Sequence, residues 1–368
     1  MKINFVGDLS MVAIDTSVFT VEKGVQKALK QADLNVANLE CPLTNSTSTS
    51  KYETWYMKAE PKKNYILDLF DVFSLANNHV LDFSREGLKD TIEFLDEDKK
   101  LWFGAGLNEI QANKPLLMEK DGYKLAFLGL TRWHNAKGEE YGTATDNLRV
   151  LKKQIKELKK DNYFVILMPH WNYVHIDYPC PSERARGHKL INAGADLIVG
   201  AHPHNLQGFE VYKGKHIFHS LGNFIFHTNS QFHKYAEEDI RNRKTFILEI
   251  DLHKDYSYKV DYTYVYDDNS GVRLMTDQEK LETIKVYTEL SRVFESNSEF
   301  KKRFYENAHI IVNKTMNALK KANDLSDSKV KVFLDRIFRI RKQDVLIKLH
   351  SMKKNNYGKT SNNNRRTR

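Results

Sequence analysis

Short apolar runs alternate with amphipathic segments over the first 225 or so residues, and this alternation constrains the fold most strongly. The runs are rich in β-branched and aromatic residues, which predicts buried strands at KINFV, LNVANL, DVFSL, KLAFLGL, FVILM and DLIVG. Apolar residues recur every three or four positions in EGLKDTIEFLDEDKK, LRVLKKQIKELKKD and SERARGHKLINAGA, which predicts surface helices. We therefore predict an α/β domain with helices on both faces of a sheet.

The second half of the chain changes from strand to helix patterns. EVYKGKHIFHSLGNFIF has a Lys-Gly turn between two β-rich runs and predicts a hairpin, followed by the strands KTFILEIDL and YKVDYTYVY. The pattern becomes helical from about Met275. We therefore assign residues 1–270 to the main domain, 271–352 to a helical appendage and 353–368 to a disordered basic tail.

Polar side chains that suit a metal ion follow five of the predicted strands. Ligands bind at the carboxyl ends of strands in open α/β sheets, so we expect these side chains to converge. Imidazole, carboxylate and amide groups together suit one or two divalent ions such as Mn, Zn or Fe, and Glu40 could bridge two of them. The predicted ligands are Asp8, Glu40, Asn78, His170, His202 and His204.

Each of these residues also has a structural explanation when taken alone. Asp8 could end a strand, Glu40 could be a solvated charge, and His170 could be a packed core histidine. The recurrence of such residues at successive strand ends favours the metal site over these separate explanations.

The stretch LANNHVLDF adds a candidate acid beside the ligands. His79 follows Asn78 directly, and Asp82 can hold the imidazole by accepting a hydrogen bond. We predict that His79 is a general acid for a leaving group and that Asp82 orients it. Asn77 is interpreted as a structural turn residue.

Composition limits the partners and the compartment. The net charge is +9, but residues 301–368 hold 19 Lys and Arg against 5 Asp and Glu, a local charge of +14. The excess predicts peripheral contact of the basic C-terminus with an anionic membrane surface or polymer, with a solubilising helix face as the alternative. No nucleic-acid reader motif accompanies it, so no nucleic-acid partner is expected.

The N-terminal sequence and the cysteines indicate a cytoplasmic protein, peripheral to the inner membrane surface if the basic tail anchors it. MKINFVGD leads directly into a strand pattern, and no apolar run approaches the roughly 18 residues of a membrane span. Cys41 and Cys180 lack the spacing of a zinc site or a disulfide framework, so we expect reduced packing residues.

Six motifs together resemble the CapA family of capsule and poly-γ-glutamate biosynthesis proteins, between Met1 and about Phe226. They are GDLSM, NLECPLT, SLANNHVLDF, MPHW, GADLIVGAHPHNLQGFEVYKGKHIF and HSLGNFIF. The resemblance implies a calcineurin-like metallophosphoesterase fold, an α/β sandwich with a two-metal centre, here followed by the C-terminal helical appendage.

The resemblance also implies how the ligands divide between two metals. Asp8, Glu40 and His204 would hold one ion, Glu40, Asn78, His170 and His202 would hold the other, and His79 takes the place of the catalytic histidine. The chain departs from the pattern at Ser10, where a histidine is usual, and in HWNYVH, where Asn172 and Val174 replace a glycine and a glutamate.

Three further residues are predicted to bind the substrate: Arg132, Trp171 and Asn223. Arg132, in LTRWHNAKG, suits an anionic substrate or polymer, with a solvated loop as the alternative. Trp171 fits a core position equally well.

Two functions follow from these observations. The first is a metal-dependent hydrolase of capsule or exopolymer biosynthesis, in which a metal-bridged hydroxide attacks a phosphoester, or alternatively a γ-glutamyl amide. The second is a non-catalytic accessory protein of capsular polymer assembly, which the departures at Ser10 and in HWNYVH favour.

Overall fold

The computed structural model describes residues 1–50, 56–227 and 240–308. The predicted basic tail and the part of the predicted appendage after residue 308 lie outside the described residues. Met1–Ala308 forms one compact unit.

The strands are numbered along the chain. They are β1 (Lys2–Leu9), β2 (Thr20–Val21), β3 (Leu34–Leu39), β4 (Val72–Ser74), β5 (Leu101–Phe103), β6 (Ala105–Gly106), β7 (Leu116–Lys120), β8 (Tyr123–Thr131), β9 (Gly142–Thr143), β10 (Phe164–His170), β11 (Leu197–Val199), β12 (Leu206–Tyr212), β13 (Lys215–Leu221), β14 (Asn223–Ile225), β15 (Lys244–Leu252), β16 (Tyr258–Asp267) and β17 (Gly271–Leu274).

The helices are numbered in the same way. They are α1 (Lys23–Lys30), α2 (Ser84–Glu97), α3 (Glu109–Ala112), α4 (Leu148–Lys160), α5 (Pro181–Ile191) and α6 (Asp277–Arg292). The described residues 297–308 are also helical. Short 3-10 helices cover Leu67–Leu69, Ile240–Arg243 and Val293–Glu295. Helix α6 begins with a capping box, in which Thr276 and Glu279 satisfy each other's backbone N–H groups.

Two large sheets contain most of these strands. The first has the order β2-β17-β16-β15-β1-β3-β4-β5, with β14 also paired to β1, and the second has the order β12-β13-β11-β10-β8-β7. Strands β1, β3, β4 and β5 run parallel to one another, and so do β8, β10, β11 and β13. Each sheet thus has a parallel centre, and antiparallel strands extend it.

The two sheets stack face to face, and helices cover their outer surfaces. Leu125 and Phe127 of β8 belong to the apolar core between the sheets, whereas their neighbours Ala126 and Leu128 pack in the outer core with α4 and α5. This alternation is the two-residue period of a strand that is buried on both faces. Helices α1 and α2 contribute to a third core on the outer face of the first sheet.

The predicted strands and the hairpin of β12 and β13 are confirmed, and so are the helices at α2, α4 and α5. The single sheet predicted from periodicity is wrong, because the strands divide between two stacked sheets. The α/β sandwich implied by the family resemblance is what the structure shows. Periodicity marks the buried faces of a strand but does not say which strands pair.

Residues after 270 begin inside the sandwich. Strand β17 pairs with β16 and β2 in the first sheet. Helix α6 packs closely on β12, where a Cβ added at Gly208 would lie 2.4 Å from the carbonyl oxygen of Leu290. This part of the predicted appendage therefore lies in the same compact unit as residues 1–270.

One close backbone approach positions the site. A Cβ on Gly7 would lie 1.9 Å from the carbonyl oxygen of Gly222, and Gly222 has a φ of +70°. The N–H of Asp8 donates to that carbonyl at 2.8 Å. Glycine at both positions lets the start of β14 lie directly beside the end of β1.

No helix among the described residues is both long enough and apolar enough to span a bilayer.

Candidate metal centre

The predicted ligands converge at the carboxyl ends of the parallel strands. Asp8 lies near the end of β1, Glu40 follows β3, and Asn78 lies in the turn after β4. His170 ends β10, and His202 and His204 follow β11. Each sheet thus supplies part of the cluster, and the stacking of the sheets brings the two parts together.

The first group of ligands surrounds one nitrogen of His170. Its Nε2 lies 2.7 Å from Asn78 Oδ1, 3.0 Å from His202 Nδ1 and 3.2 Å from Glu40 Oε1. Glu40, His170 and His202 can each offer a ligand atom within 4.8 Å of the others. Two imidazoles, a carboxylate and an amide oxygen form a donor set that suits a divalent transition metal.

The second group shares Glu40 with the first. Asp8, Glu40 and His204 can place one ligand atom each within 4.8 Å of one another. The Nδ1 of His204 lies 3.4 Å from Asp8 Oδ2 and 2.9 Å from Asn223 Oδ1. Glu40 therefore stands between the two groups, as a bridging carboxylate would.

The state of Glu40 tests whether a metal fits. Glu40 is fully buried, and neither of its carboxylate oxygens has a hydrogen-bond partner among the described residues. The contact with His170 Nε2 is too poorly aligned to be a hydrogen bond. Burial and the charge of Asp8 raise the pKa of Glu40 well above its usual value. A divalent cation bound by both oxygens would satisfy this carboxylate.

The histidines of the first group are in the state that metal binding needs. Burial lowers the pKa of His170 to about 3, and burial next to His170 lowers the pKa of His202 well below its usual value. Both imidazoles are therefore neutral near pH 7 and keep a lone pair for a metal.

Two ligands occupy unfavourable backbone conformations. His202 has a φ of 97° and His204 a φ of 63°, in the left-handed region that L-residues rarely adopt. The surrounding structure holds this turn, since the N–H of His202 donates to Asp8 Oδ2 at 3.2 Å and that of His175 donates to the Pro203 carbonyl at 2.9 Å. Strained backbone of this kind is typical of functional sites.

His79 and Asp82 form the predicted pair. The Nδ1 of His79 lies 2.8 Å from Asp82 Oδ2, which also accepts from the N–H of Met57 at 2.7 Å. His79 directly follows the predicted ligand Asn78 in the turn after β4. Asn77 is structural, as its Oδ1 accepts from the N–H groups of His79 and Val80.

Two residues at the site were missed by the sequence analysis. The Nδ2 of Asn38 donates to Asp8 Oδ1 at 2.8 Å and lies 3.3 Å from His170 Nδ1, so Asn38 connects the two groups of ligands. The ring of Trp133 lies 4.4 Å from that of His202 and 5.7 Å from that of His170. An asparagine inside the apolar run LNVANL was the available signal for Asn38.

The three predicted substrate residues lie in different surroundings. Arg132 contacts Trp133, and Asn223 contacts His204, so both lie next to the ligands. Trp171 instead packs in the outer core of the second sheet, where its Nε1 donates to the His219 carbonyl at 2.8 Å. The structure thus brings Arg132 and Asn223 to the cluster and does not bring Trp171.

Comparison with known proteins assigns the family. Residues 2–228 match the family described as bacterial capsule synthesis protein PGA_cap, which is more than half of the chain. The chain belongs to this family. The resemblance to CapA proteins stated above is thereby confirmed.

Two curated relatives are similar to this chain over part of its length. The capsule biosynthesis protein CapA of Bacillus anthracis is 34% identical over 246 residues, covering 62% of this chain and 60% of that protein. The PGA biosynthesis protein CapA of Bacillus subtilis (strain 168) is 31% identical over 242 residues, covering 61% and 63%. The alignments thus span about 60% of the length of these relatives.

A solved structure that matches in part is the 5'-nucleotidase precursor of Thermus thermophilus. It is 14% identical, with a TM-score of 0.43, and the match covers 80% of this chain and 60% of that one.

Proposed function

We propose that this member of the PGA_cap family is a metal-dependent hydrolase that acts in the assembly or processing of a capsular polymer. The observation that carries the proposal is Glu40, a buried carboxylate shared by two groups of potential metal ligands, whose two oxygens have no hydrogen-bond partner among the described residues. The names of the two CapA relatives, which refer to capsule and PGA biosynthesis, supply the biological setting.

The residues that would hold the metals are those of the two groups. Asp8, Glu40 and His204 would hold one ion, and Glu40, Asn78, His170 and His202 would hold the other. Bound ions supply Lewis acidity and positive charge toward a phosphoryl or carbonyl oxygen. Asn38 fixes the orientation of Asp8 by a hydrogen bond and lies against His170, as outer partners of metal ligands commonly do.

His79 would move the proton. Asp82 engages Nδ1 of His79, so the proton for a leaving group would come from Nε2. Asp82 fixes the ring orientation and favours the protonated imidazole. A phosphoester is the substrate that we favour, and a γ-glutamyl amide is the alternative.

The experiment replaces His79 while keeping the ligands. His79→Ala is expected to lower kcat by about 100- to 10,000-fold, because positioned proton transfer contributes about this much. The metal content, measured by elemental analysis, should equal that of the wild type. His216→Ala is the matched control, since His216 contacts Tyr258 and Phe209, remote from the ligands. Full activity of the His79→Ala protein on its substrate would refute the acid role.

A second candidate function is a non-catalytic accessory protein, and Ser10 favours it. The Ser10 Oγ accepts from the N–H of Val12 at 3.3 Å, which ties it to its own turn. A protein that takes up no transition metal on titration would favour the accessory role over the hydrolase.

A further inference from the structure

Arg132 leaves β8 at the same edge of the sheet as His170. Thr131, the last residue of β8, is the register partner of His170, and Arg132 follows it directly. The guanidinium carbon of Arg132 lies 4.9 Å from the ring centre of Trp133, and the Trp133 ring lies 4.4 Å from that of His202. A single aromatic ring therefore separates Arg132 from a candidate metal ligand.

The guanidinium is held in a fixed position. Its Nη2 donates to the carbonyl oxygen of Asn172 at 2.8 Å, and its carbon lies 5.3 Å from the ring centre of Tyr173. Asn172 is itself fixed, since its Oδ1 accepts from the N–H of Cys180 at 2.9 Å and its Nδ2 donates to Gln207 Oε1 at 3.1 Å. Arg132 is thus positioned before any ligand binds.

Arg132 differs from other half-buried arginines of the chain. Arg184 lies 2.8 Å from a carboxylate oxygen of Glu210, and Arg186 lies 2.8 Å from one of Glu183. Within residues 1–50, 56–227 and 240–308, Arg132 forms no ion pair with a carboxylate, and its buried Nε has no hydrogen-bond partner. A half-buried cation without an anion is unfavourable unless a ligand supplies the charge.

We propose that Arg132, with Trp133 and Tyr173, forms a subsite for an oxyanion group of the substrate beside the metal ligands. A guanidinium binds a carboxylate or a phosphate through paired N–H donors, and the aromatic rings keep it planar and oriented. Metal ions and Arg132 are both positive, so an anion that contacts both stabilises each of them. The substrate is therefore an anionic molecule, and this conclusion rests on the proposed function for its metal-bound part.

The subsite uses residues that set this chain apart from its family resemblance. Asn172 and Tyr173 belong to HWNYVH, where a glycine is usual at the position of Asn172. The Asn172 side chain provides two of the hydrogen bonds that fix the carbonyl under Arg132. The departure in sequence thus falls on a residue that holds the Arg132 guanidinium in position.

The test measures binding and does not require turnover. Metal-loaded wild type, Arg132→Met and Arg132→Lys are titrated calorimetrically with inorganic phosphate and, separately, with glutarate. Arg132→Met is expected to weaken binding of at least one probe by about ten- to hundredfold, because it removes charge-assisted hydrogen bonds. Arg132→Lys keeps the positive charge but loses the paired N–H donors of the guanidinium. Its loss of affinity should therefore be smaller than that of Arg132→Met. Arg149→Met, on the exposed face of α4, should bind as the wild type does.

The outcomes separate the possible ligands. A loss for phosphate alone identifies a phosphate group, and a loss for glutarate alone identifies a carboxylate. Equal affinity of wild type and Arg132→Met for both probes, at equal metal content, would overturn the subsite, as would no binding of either probe to the wild type. If Arg132→Met does not fold, Arg132→Lys decides by the same comparison. A protein that binds the probes through Arg132 but hydrolyses neither a phosphoester nor a γ-glutamyl amide would refute the proposed hydrolase and leave the subsite intact.

Discussion

Two buried glutamates of this protein lie near histidines, but they differ in whether their carboxylate oxygens accept hydrogen bonds. Glu40 contacts His170, yet neither of its oxygens accepts a hydrogen bond within the described part of the chain. Glu210, on β12, accepts three hydrogen bonds from Arg184, and His219 Nε2 lies 3.1 Å from its Oε1. Arg184 neutralises Glu210, whereas no arginine pairs with Glu40 among the described residues.

The two carboxyl groups consequently have opposite pKa shifts. Burial and the charge of Asp8 raise the pKa of Glu40 well above its usual value. Burial also acts to raise the pKa of Glu210, but the His188 imidazole 3.0 Å away and hydrogen bonds with His219 and Arg184 hold it well below its usual value. A buried glutamate near histidines thus forms a structural ion pair at Glu210 and a candidate cation site at Glu40.

The Glu210 cluster connects parts of the fold. Arg184 lies on α5, and its Nη2 also donates to the carbonyl of Phe294 at 3.2 Å. Its guanidinium carbon lies 4.7 Å from the ring centre of Phe300. The Arg184–Glu210 ion pair therefore joins β12 and α5 to the segment that follows α6, and its role is structural.

The largest expected effect comes from Glu40→Gln. Glu40 belongs to both ligand groups, so replacing its carboxylate by an amide should weaken metal binding on the order of a thousandfold, or about 4 kcal/mol. Calorimetric titration with Mn²⁺ or Zn²⁺ measures the change. The stability of the metal-free protein should not fall, because the variant removes an unsatisfied buried carboxylate. Wild-type metal affinity in Glu40→Gln would contradict the assignment of the site.

Glu210→Gln is expected to lower stability and to leave metal binding unchanged. Arg184, with a side chain that is 11% exposed, would lose its carboxylate partner, at a cost of about 3 kcal/mol in the free energy of unfolding. Urea denaturation measures this loss, and metal affinity should stay unchanged. Glu299→Gln is the control, since its pair with Arg303 is exposed to solvent and should contribute little to stability. Equal losses in the two variants would show that the Glu210 pair is no stronger than a surface pair.

A smaller effect is expected from Asn38→Ala. This variant removes the hydrogen bond to Asp8 and the contact with His170, and it should weaken metal binding by about ten- to hundredfold. Asn35→Ala is a matched control on the same strand, because the Asn35 side chain contacts Asn4 and the Leu29 carbonyl and no ligand. Both variants should lose stability, and only the first should lose metal affinity. A similar loss of metal affinity in both variants would show that Asn38 has no specific role at the metal site.

The smallest effect concerns pH. Because the folded pKa of Glu210 is depressed, its contribution to stability is complete above the unfolded pKa of about 4.5 and is lost as the pH falls below it. The difference in stability between wild type and Glu210→Gln should therefore shrink from pH 6 toward pH 3, measured by urea denaturation. A difference that is constant over this range would refute the depressed pKa.

Much of the candidate site could be predicted because its ligands follow strands directly. The strand runs before Glu40, Asn78 and His202 have clear apolar patterns, and parallel strands end at one edge. Position after a strand did not suffice to predict the place of Trp171. Neighbouring side chains at a strand end face opposite ways, and Trp171 lies in the outer core. Asn38 was missed because it lies inside a strand run, where apolar neighbours conceal it.

The sequence by itself determined which segments are strands, where they end, and which chemical groups follow them. Those properties depend on local periodicity and residue type, which are readable within a few positions. Only the tertiary structure decided that the strands form two stacked sheets, that Arg184 neutralises Glu210, and that Glu40 receives no such partner from the described residues. The partners of a buried charge come from residues distant in the chain, so its electrostatic state is set by folding and not by its own segment.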